Sequence, residues 1–237
     1  MSTEYTNYIE THLGHVHKDD YELMARYFHK NYAKLIRTKD ERILDVGCGM
    51  GHFLYFLKKF GFHNVTGIDL SSDCIDYCLE KDLGTRENLH LVDMMAFLEQ
   101  KEGCFDLIVM NDVIEHLPKE EIIGSLQLAR FALAKGGRLV VKVVNSANPI
   151  TGAASRYVDF THTVGFTEES LAQVLRVAGF TSLDMRAQDI WVFNPFINFF
   201  GKSGQLVFNN IFRALTLLYG RRSSKIFTKD LIAVASR

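Results

Sequence analysis

Residues 43–51 read Ile-Leu-Asp-Val-Gly-Cys-Gly-Met-Gly, so three glycines at alternate positions stand between a short apolar run and a helix-period segment. Few folds accept that junction. Glycine tolerates positive φ and lets the backbone approach a ligand closely. The helix that follows offers N–H groups with no intrahelical partner. A strand that feeds a helix through such a turn is the opening unit of a parallel α/β sheet. The remaining pattern agrees: strands are predicted at 42–46, 64–69, 89–92, 105–111 and 138–144, with helices at 51–60, 72–81, 94–99 and 119–134 between them. Gly136-Gly137 is expected to end the last of these helices, and the Val-rich run after it suits a strand buried on both faces.

Further on, Thr167 caps a helix over 167–178 with Ser170 three residues later, and Gly179 stops it. Two final strands are expected at 182–191 and 230–235, and one or two extra helices at 19–36. The expected organisation is an N-terminal helical arm (1–41), a main α/β domain (42–193 with 230–237) and an aromatic-rich helical insertion (194–229). With 47% hydrophobic and 23% charged residues, there is ample material for a core, which excludes general disorder. Net charge is -1, so no basic excess points to nucleic acid. The four cysteines (48, 74, 78 and 104) form no CxxC pair and suggest neither a zinc site nor a disulfide framework. A polar start and the lack of an apolar window of about 18 residues lead to the expectation of a cytoplasmic protein. Asn64-Val65-Thr66 has the form of a glycosylation sequon, but it falls in a predicted buried strand.

Three carboxylates accompany the loop. Asp45 precedes its first glycine by two residues, Asp69 ends the second strand, and Asp93 ends the third with Met94 beside it. A strand-end carboxylate can accept both hydroxyls of a ribose. Asp93 with Met94 suits an adenine, the carboxylate for its exocyclic amine and the apolar side chain for its ring face. The plainer alternative is a tight turn with a surface Asp.

In the order DVGCGMG, VTGIDLS, HLVDMMAF, FDLIVMNDVIEHL and LAKGGRLVVKV, the chain resembles the class I S-adenosylmethionine-dependent methyltransferases over roughly residues 43–180. The resemblance implies a Rossmann-like, doubly wound, seven-stranded, mostly parallel sheet whose last strand is antiparallel, with helices on both faces. It also implies S-adenosyl-L-methionine over the carboxyl ends of strands one to four. Gly47, Gly49 and Gly51 would line its methionine part, with Asp45 anchoring the loop. Asp69, beside Leu70, would hold the ribose, Asp93 and Met94 the adenine, and Asn111 would present its backbone to the methionyl amine. A nicotinamide alternative needs a catalytic partner, yet Tyr55/Lys59 and Tyr77/Lys81 stand too early in the chain for that role. Gly201-Lys202-Ser203 imitates a phosphate loop, but Phe196 stands where its first glycine belongs.

Two clusters are candidates for the chemistry. After strand four come Asp112, Glu115 and His116. By resemblance to ubiquinone-pathway and small-RNA 2′-O-methyltransferases this spacing suits a divalent metal, with Asp112 one methylene shorter than the usual Glu. The alternative is that Glu115 and His116 cap the next helix and buttress the cofactor loop. The second stretch, residues 157–167, contains Asp159, Thr161 and His162. It resembles the D-x-T-H segment of methyltransferases acting on glycans, O-antigens, sugars and quinones. His162 is the expected general base, or a fourth metal ligand beside His116; its alternative is a loop-holding histidine. Arg156 could pair with a phosphate or carboxylate of the acceptor. His12, His15 and His17 form a small cluster that reads as incidental. Tyr5, Tyr8 and Tyr21 could help the N-terminal arm close over the cofactor.

Residues 191–219 are rich in aromatics, and from Leu206 the apolar residues fall at helical spacing until Arg221, Arg222 and Lys225. Four readings stay open: a roof over the acceptor pocket, extra core, a homodimer contact, or a peripheral membrane contact through 206–225. The expected activity is methyl transfer to a hydroxyl of a small molecule or glycan, lipid-linked acceptors included. An amine acceptor is the alternative, and a cofactor-holding module without turnover is another. Asn111-Asp112-Val113-Ile114 stands where base methyltransferases carry a Pro-Pro-Tyr signature, a further reason to expect no nucleic acid.

Overall fold

Alternation of side chains along the strands decides which face each helix covers. The computed structural model describes Ile9 and residues 20–220 and 225–237; the expectations about Tyr5, Tyr8, His12, His15, His17, Arg221 and Arg222 lie outside the described residues. Seven strands form: β1 (Ile43–Val46), β2 (Val65–Asp69), β3 (Leu89–Leu91), β4 (Phe105–Asn111), β5 (Leu133–Val144), β6 (Ser182–Ala187) and β7 (Asp230–Ser236). Their order is β3-β2-β1-β4-β5-β7-β6. β1 pairs in parallel with both β2 and β4, while β7 runs antiparallel between β5 and β6. Strand order therefore reverses between β1 and β4, where sheets of this kind open a crevice at their carboxyl ends.

One set of alternate positions (Leu44, Val46, Ile108, Met110, Leu139 and Val141) joins the core under α4 (Met94–Leu98), α5 (Ile122–Ala132) and α7 (Glu168–Val177). The intervening positions (Ile43, Leu107, Val109, Val140, Ile232 and Val234) join a second core under α1 (Tyr21–Tyr32) and α2 (His52–Lys59). α3 (Ser72–Glu80) contributes Ile75 and Cys78 to a third, smaller cluster with Leu54 and Leu89. Burial on both faces explains why the central strands read as apolar runs.

Local signals set the helix starts. Asp20, Ser71 and Asp93 accept hydrogen bonds from first-turn amides of α1, α3 and α4, and Thr167 with Ser170 closes a capping box on α7. Three boundaries differ from expectation. β6 stops at Ala187 instead of continuing to 191, because Asp189 leaves the sheet to pair with Lys30 and Lys202. β5 is already paired at Leu133, opposite Phe105, and the register shifts before Leu107 meets Arg138; the glycine pair thus lies within an irregular strand. α6 (Gly152–Tyr157) had no periodic signature; it follows a turn in which Asn148 Oδ1 accepts from the amides of Ile150 and Thr151.

The last helix, α8 (Pro195–Leu218), is capped by Asn194 with Pro195 in its first turn, and none of its residues is buried. Among the described residues, no helix is long and apolar enough to cross a membrane.

Candidate active site

The glycine loop closes on a carboxylate. Gly47, Gly49 and Gly51 take φ of 64°, 52° and 76°, a region that disfavours any side chain. The Gly49 amide donates to Asp69 Oδ2 at 2.9 Å, and the Ser71 amide to Asp69 Oδ1 at 2.8 Å. Asp69 thereby ties the loop after β1 to the loop after β2. Burial raises its pKa above the usual carboxylate range, against the pull of these amides. Asp45 is buried inside β1, and its Oδ2 has no hydrogen-bond partner among the described residues. Burial, then the charge of Asp69, pushes Asp45 well upward. On the far side of the loop, the Tyr21 hydroxyl of α1 donates to the Met50 carbonyl at 2.7 Å.

These residues can be tested against an adenosyl cofactor. A Cβ built on Gly49 would meet nothing nearer than the Gly47 carbonyl at 4.0 Å, so the backbone there faces open space. Gly47 and Gly51 differ, since a Cβ at Gly47 would strike Val113 at 2.8 Å and one at Gly51 would strike Leu83 at 2.4 Å. Of the three, Gly49 alone has open space in the direction of a Cβ. A ligand rich in hydroxyl donors would meet Asp69, whose oxygens each keep a lone pair beyond the amide bonds. The donor set fits a ribose. Leu70 is the exposed apolar side chain beside it. Met94 is packed into the core under α4, while Asp93 spends Oδ1 on the amides of Met95 and Ala96.

β4 delivers the other half of the rim. Asn111 Oδ1 accepts from the Tyr32 hydroxyl of α1, which holds the strand end in place. Asp112 then takes φ of 55°, left-handed for a non-glycine, and its carboxylate pairs with Lys142 of β5. Burial opposes the charge on Lys142, but Asp112 and Asp230 outweigh it and raise that ammonium's pKa. Glu115 is buried with both carboxyl oxygens unpartnered among the described residues. Burial, then the Asp112 charge, lifts Glu115 to about 8.

The groups close enough to share an ion are therefore not the set that spacing suggested. Among the described residues, His116, Asp159 and His162 bring one ligand atom each within 4.8 Å of one another. Asp112 is taken by Lys142, and Glu115 points into the interior. Donor logic orients both rings. Thr161 Oγ1 donates to Asp159 Oδ1 at 2.7 Å and so accepts from His116 Nδ1 at 2.8 Å. His162 Nδ1 lies 3.2 Å from the Arg156 carbonyl oxygen, which can only accept. Both imidazoles thus carry a proton on Nδ1, which leaves Nε2 as the nitrogen at which each ring gains or loses its second proton. Their centroids are 4.6 Å apart. Although burial works upward on Asp159, hydrogen bonds from the Thr161 hydroxyl and amide, with the electrostatic pull of His116 and His162, hold it below the usual range. Arg156 donates to the Thr163 carbonyl at 2.8 Å, within its own loop.

Tyr32 and Lys142 were missed from sequence, and Asp159 was named there in its segment without a role. Asp159 had a local signal, an acid two residues before Thr161 that makes an Asx turn with its amide. Tyr32 had none, as its partner lies 79 residues away.

Residues 16–184 match a family described as a methyltransferase domain. The chain is 31% identical to phosphoethanolamine N-methyltransferase 1 of Arabidopsis thaliana over 165 residues, 68% of this chain and 32% of that protein. It is 30% identical to a ubiquinone biosynthesis O-methyltransferase of Xylella fastidiosa over 115 residues, 48% of this chain and 46% of that one. It therefore spans less than half the length of these curated relatives. Its fold is similar to the crystal structure of an S-adenosylmethionine-dependent methyltransferase from Archaeoglobus fulgidus, with a TM-score of 0.67 and 20% identity over 92% of this chain and 94% of that one.

Proposed function

The chain belongs to the class I S-adenosylmethionine-dependent methyltransferases, and from that premise we propose that it methylates a hydroxyl of a small molecule or glycan. When bound, the cofactor supplies a methyl group on a positive sulfur whose leaving thioether is neutral, so the protein's task is mainly alignment. Asp69 would hold the ribose and Gly49 would lie along the methionine part, with Asp45 a buried acceptor behind them. Asn111, steadied by Tyr32, presents the end of β4.

A hydroxyl acceptor must also lose a proton. The observation that carries this reading is His162, mostly buried on the carboxyl rim, with Nδ1 engaged by the Arg156 carbonyl so that Nε2 is the basic atom. His116, relayed through Thr161 to Asp159, sits edge-on to it. Incubation with labelled methyl donor across hydroxylated and aminated acceptors tests the proposal. Label should appear on a hydroxyl, and His162→Ala should abolish most turnover while calorimetry finds cofactor affinity unchanged.

Two variants of the reading have their own support. The geometry of His116, Asp159 and His162 suits a divalent ion, which would lower the acceptor hydroxyl's pKa. Activity that survives a chelator removes it. Similarity to an N-methyltransferase favours an amine acceptor; in that case His162→Ala leaves turnover largely intact.

A further inference from the structure

α8 is built inside out. The side it turns toward the protein carries Asn198, Gly201, Gln205, Asn209, Phe212 and Thr216, all partly covered. Gln205 accepts from the Trp191 indole at 2.7 Å, and the Trp191 ring lies so close to Gly201 that a Cβ there would fall 2.1 Å from it. The opposite side is apolar and open: Phe196 is 72% exposed, Phe199 66%, Phe200 58%, Leu206 62%, Val207 57% and Leu217 65%. At 1.5 Å per residue, 24 residues make a rod about 36 Å long with that stripe along it. Exposed apolar surface on this scale marks an interaction site.

Charge identifies the partner. Residues 190–229 contain six Lys and Arg (Lys202, Arg213, Arg221, Arg222, Lys225 and Lys229) and no Asp or Glu, in a chain whose net charge is -1. Asp189, at the margin of the segment, already pairs with Lys202. Two copies of this segment laid together would therefore set the remaining basic groups against each other with no acid inside the segment to answer them. An anionic lipid surface meets both features at once, taking phenylalanine and leucine into its acyl boundary and Lys and Arg onto its phosphates. The helix is also fastened where such a surface would serve the site. Arg213 donates to the Lys225 carbonyl, Phe212 packs on Phe227, and Asn148, just past the carboxyl end of β5, donates to the Phe227 carbonyl.

We infer that α8 docks this protein on an anionic phospholipid surface, lying in the interface plane with its phenylalanine-rich stripe downward. The test is co-sedimentation of the full chain with sucrose-loaded vesicles of phosphatidylcholine, with and without phosphatidylglycerol. Binding to the phosphatidylglycerol vesicles should exceed that to phosphatidylcholine alone by about tenfold or more. The double substitution Phe199→Ser/Phe200→Ser should lower it by about tenfold, and Arg213→Gln by about fivefold. Both phenylalanines are exposed, so thermal melting should match the parent. Failure of the parent to sediment with phosphatidylglycerol vesicles overturns the inference. So does equal binding by the double variant, or a stable dimer in sedimentation velocity that the double variant splits while vesicle binding is absent.

Discussion

The two halves of the carboxyl rim are made of different material. Around β1 and β2 the site is main chain: glycines at positive φ, two amides on Asp69, and open space above Gly49. Around β4 and β5 it is side chain: His116 held by Thr161, His162 held by Arg156, and Asp112 spent on Lys142. The contrast separates a ligand common to many relatives from one particular to this chain. A backbone cradle changes little when side chains change, so it suits an invariant cofactor. A side-chain pocket can be rebuilt one residue at a time, which suits an acceptor that differs between proteins.

That contrast can be broken in several ways. The largest effect is expected on the side-chain half. His162→Ala should cut kcat by about 10²- to 10⁴-fold with cofactor affinity unmoved in calorimetry. A parallel loss of cofactor affinity would mean the halves are not separable. Next comes the backbone half, where Asp69→Ala should weaken cofactor binding by about 10- to 100-fold, read in the same titration. Gly49→Ala should act in the same direction through about 1–2 kcal/mol of left-handed strain, together with a methyl group in the ligand's space.

Glu115 sharpens the comparison through pH. Its folded pKa is raised from 4.5 to about 8, so the folded state holds a proton that the unfolded chain gives up. Stability should therefore fall as pH rises through that window, by at most about 1.4 kcal/mol per pH unit, and level off above it. Urea melts of Glu115→Gln should lack this slope. The smallest effect is expected away from the rim. Arg42 and Asp106 form a part-exposed pair at 2.9 Å that lowers Asp106, mainly through the Arg42 hydrogen bond. Asp106→Asn should cost about 1 kcal/mol or less at neutral pH. That cost should vanish as pH falls through the depressed pKa of Asp106, where the parent loses the same contribution.

Much of the sheet was readable because its signals are local. Gly47, Gly49 and Gly51 announce a strand-to-helix turn within a few residues, and Thr167 announces a helix start in the same way. β6 was overrun because nothing near 187 marks an end; the stop comes from Lys30 and Lys202, remote in sequence from Asp189. The expected ligand set after β4 was misread for a similar reason. Spacing places Asp112, Glu115 and His116 close along the chain, but only the fold shows Lys142 taking one and the interior taking another.

By itself, then, the sequence determined the chain order of the strands and of the helices other than α6, the glycine turn and its acid, and most of the residues from which a site could be assembled. These depend on backbone preferences and on periods of two and 3.6 residues, which act over a handful of neighbours. Tertiary structure decided which side chains meet: His116 with a loop 45 residues away, Tyr32 with Asn111, and the polar side of α8 with the domain. A helical period reveals that a stripe exists. Only the packing of the rest of the molecule decides whether that stripe faces inward or, as here, out.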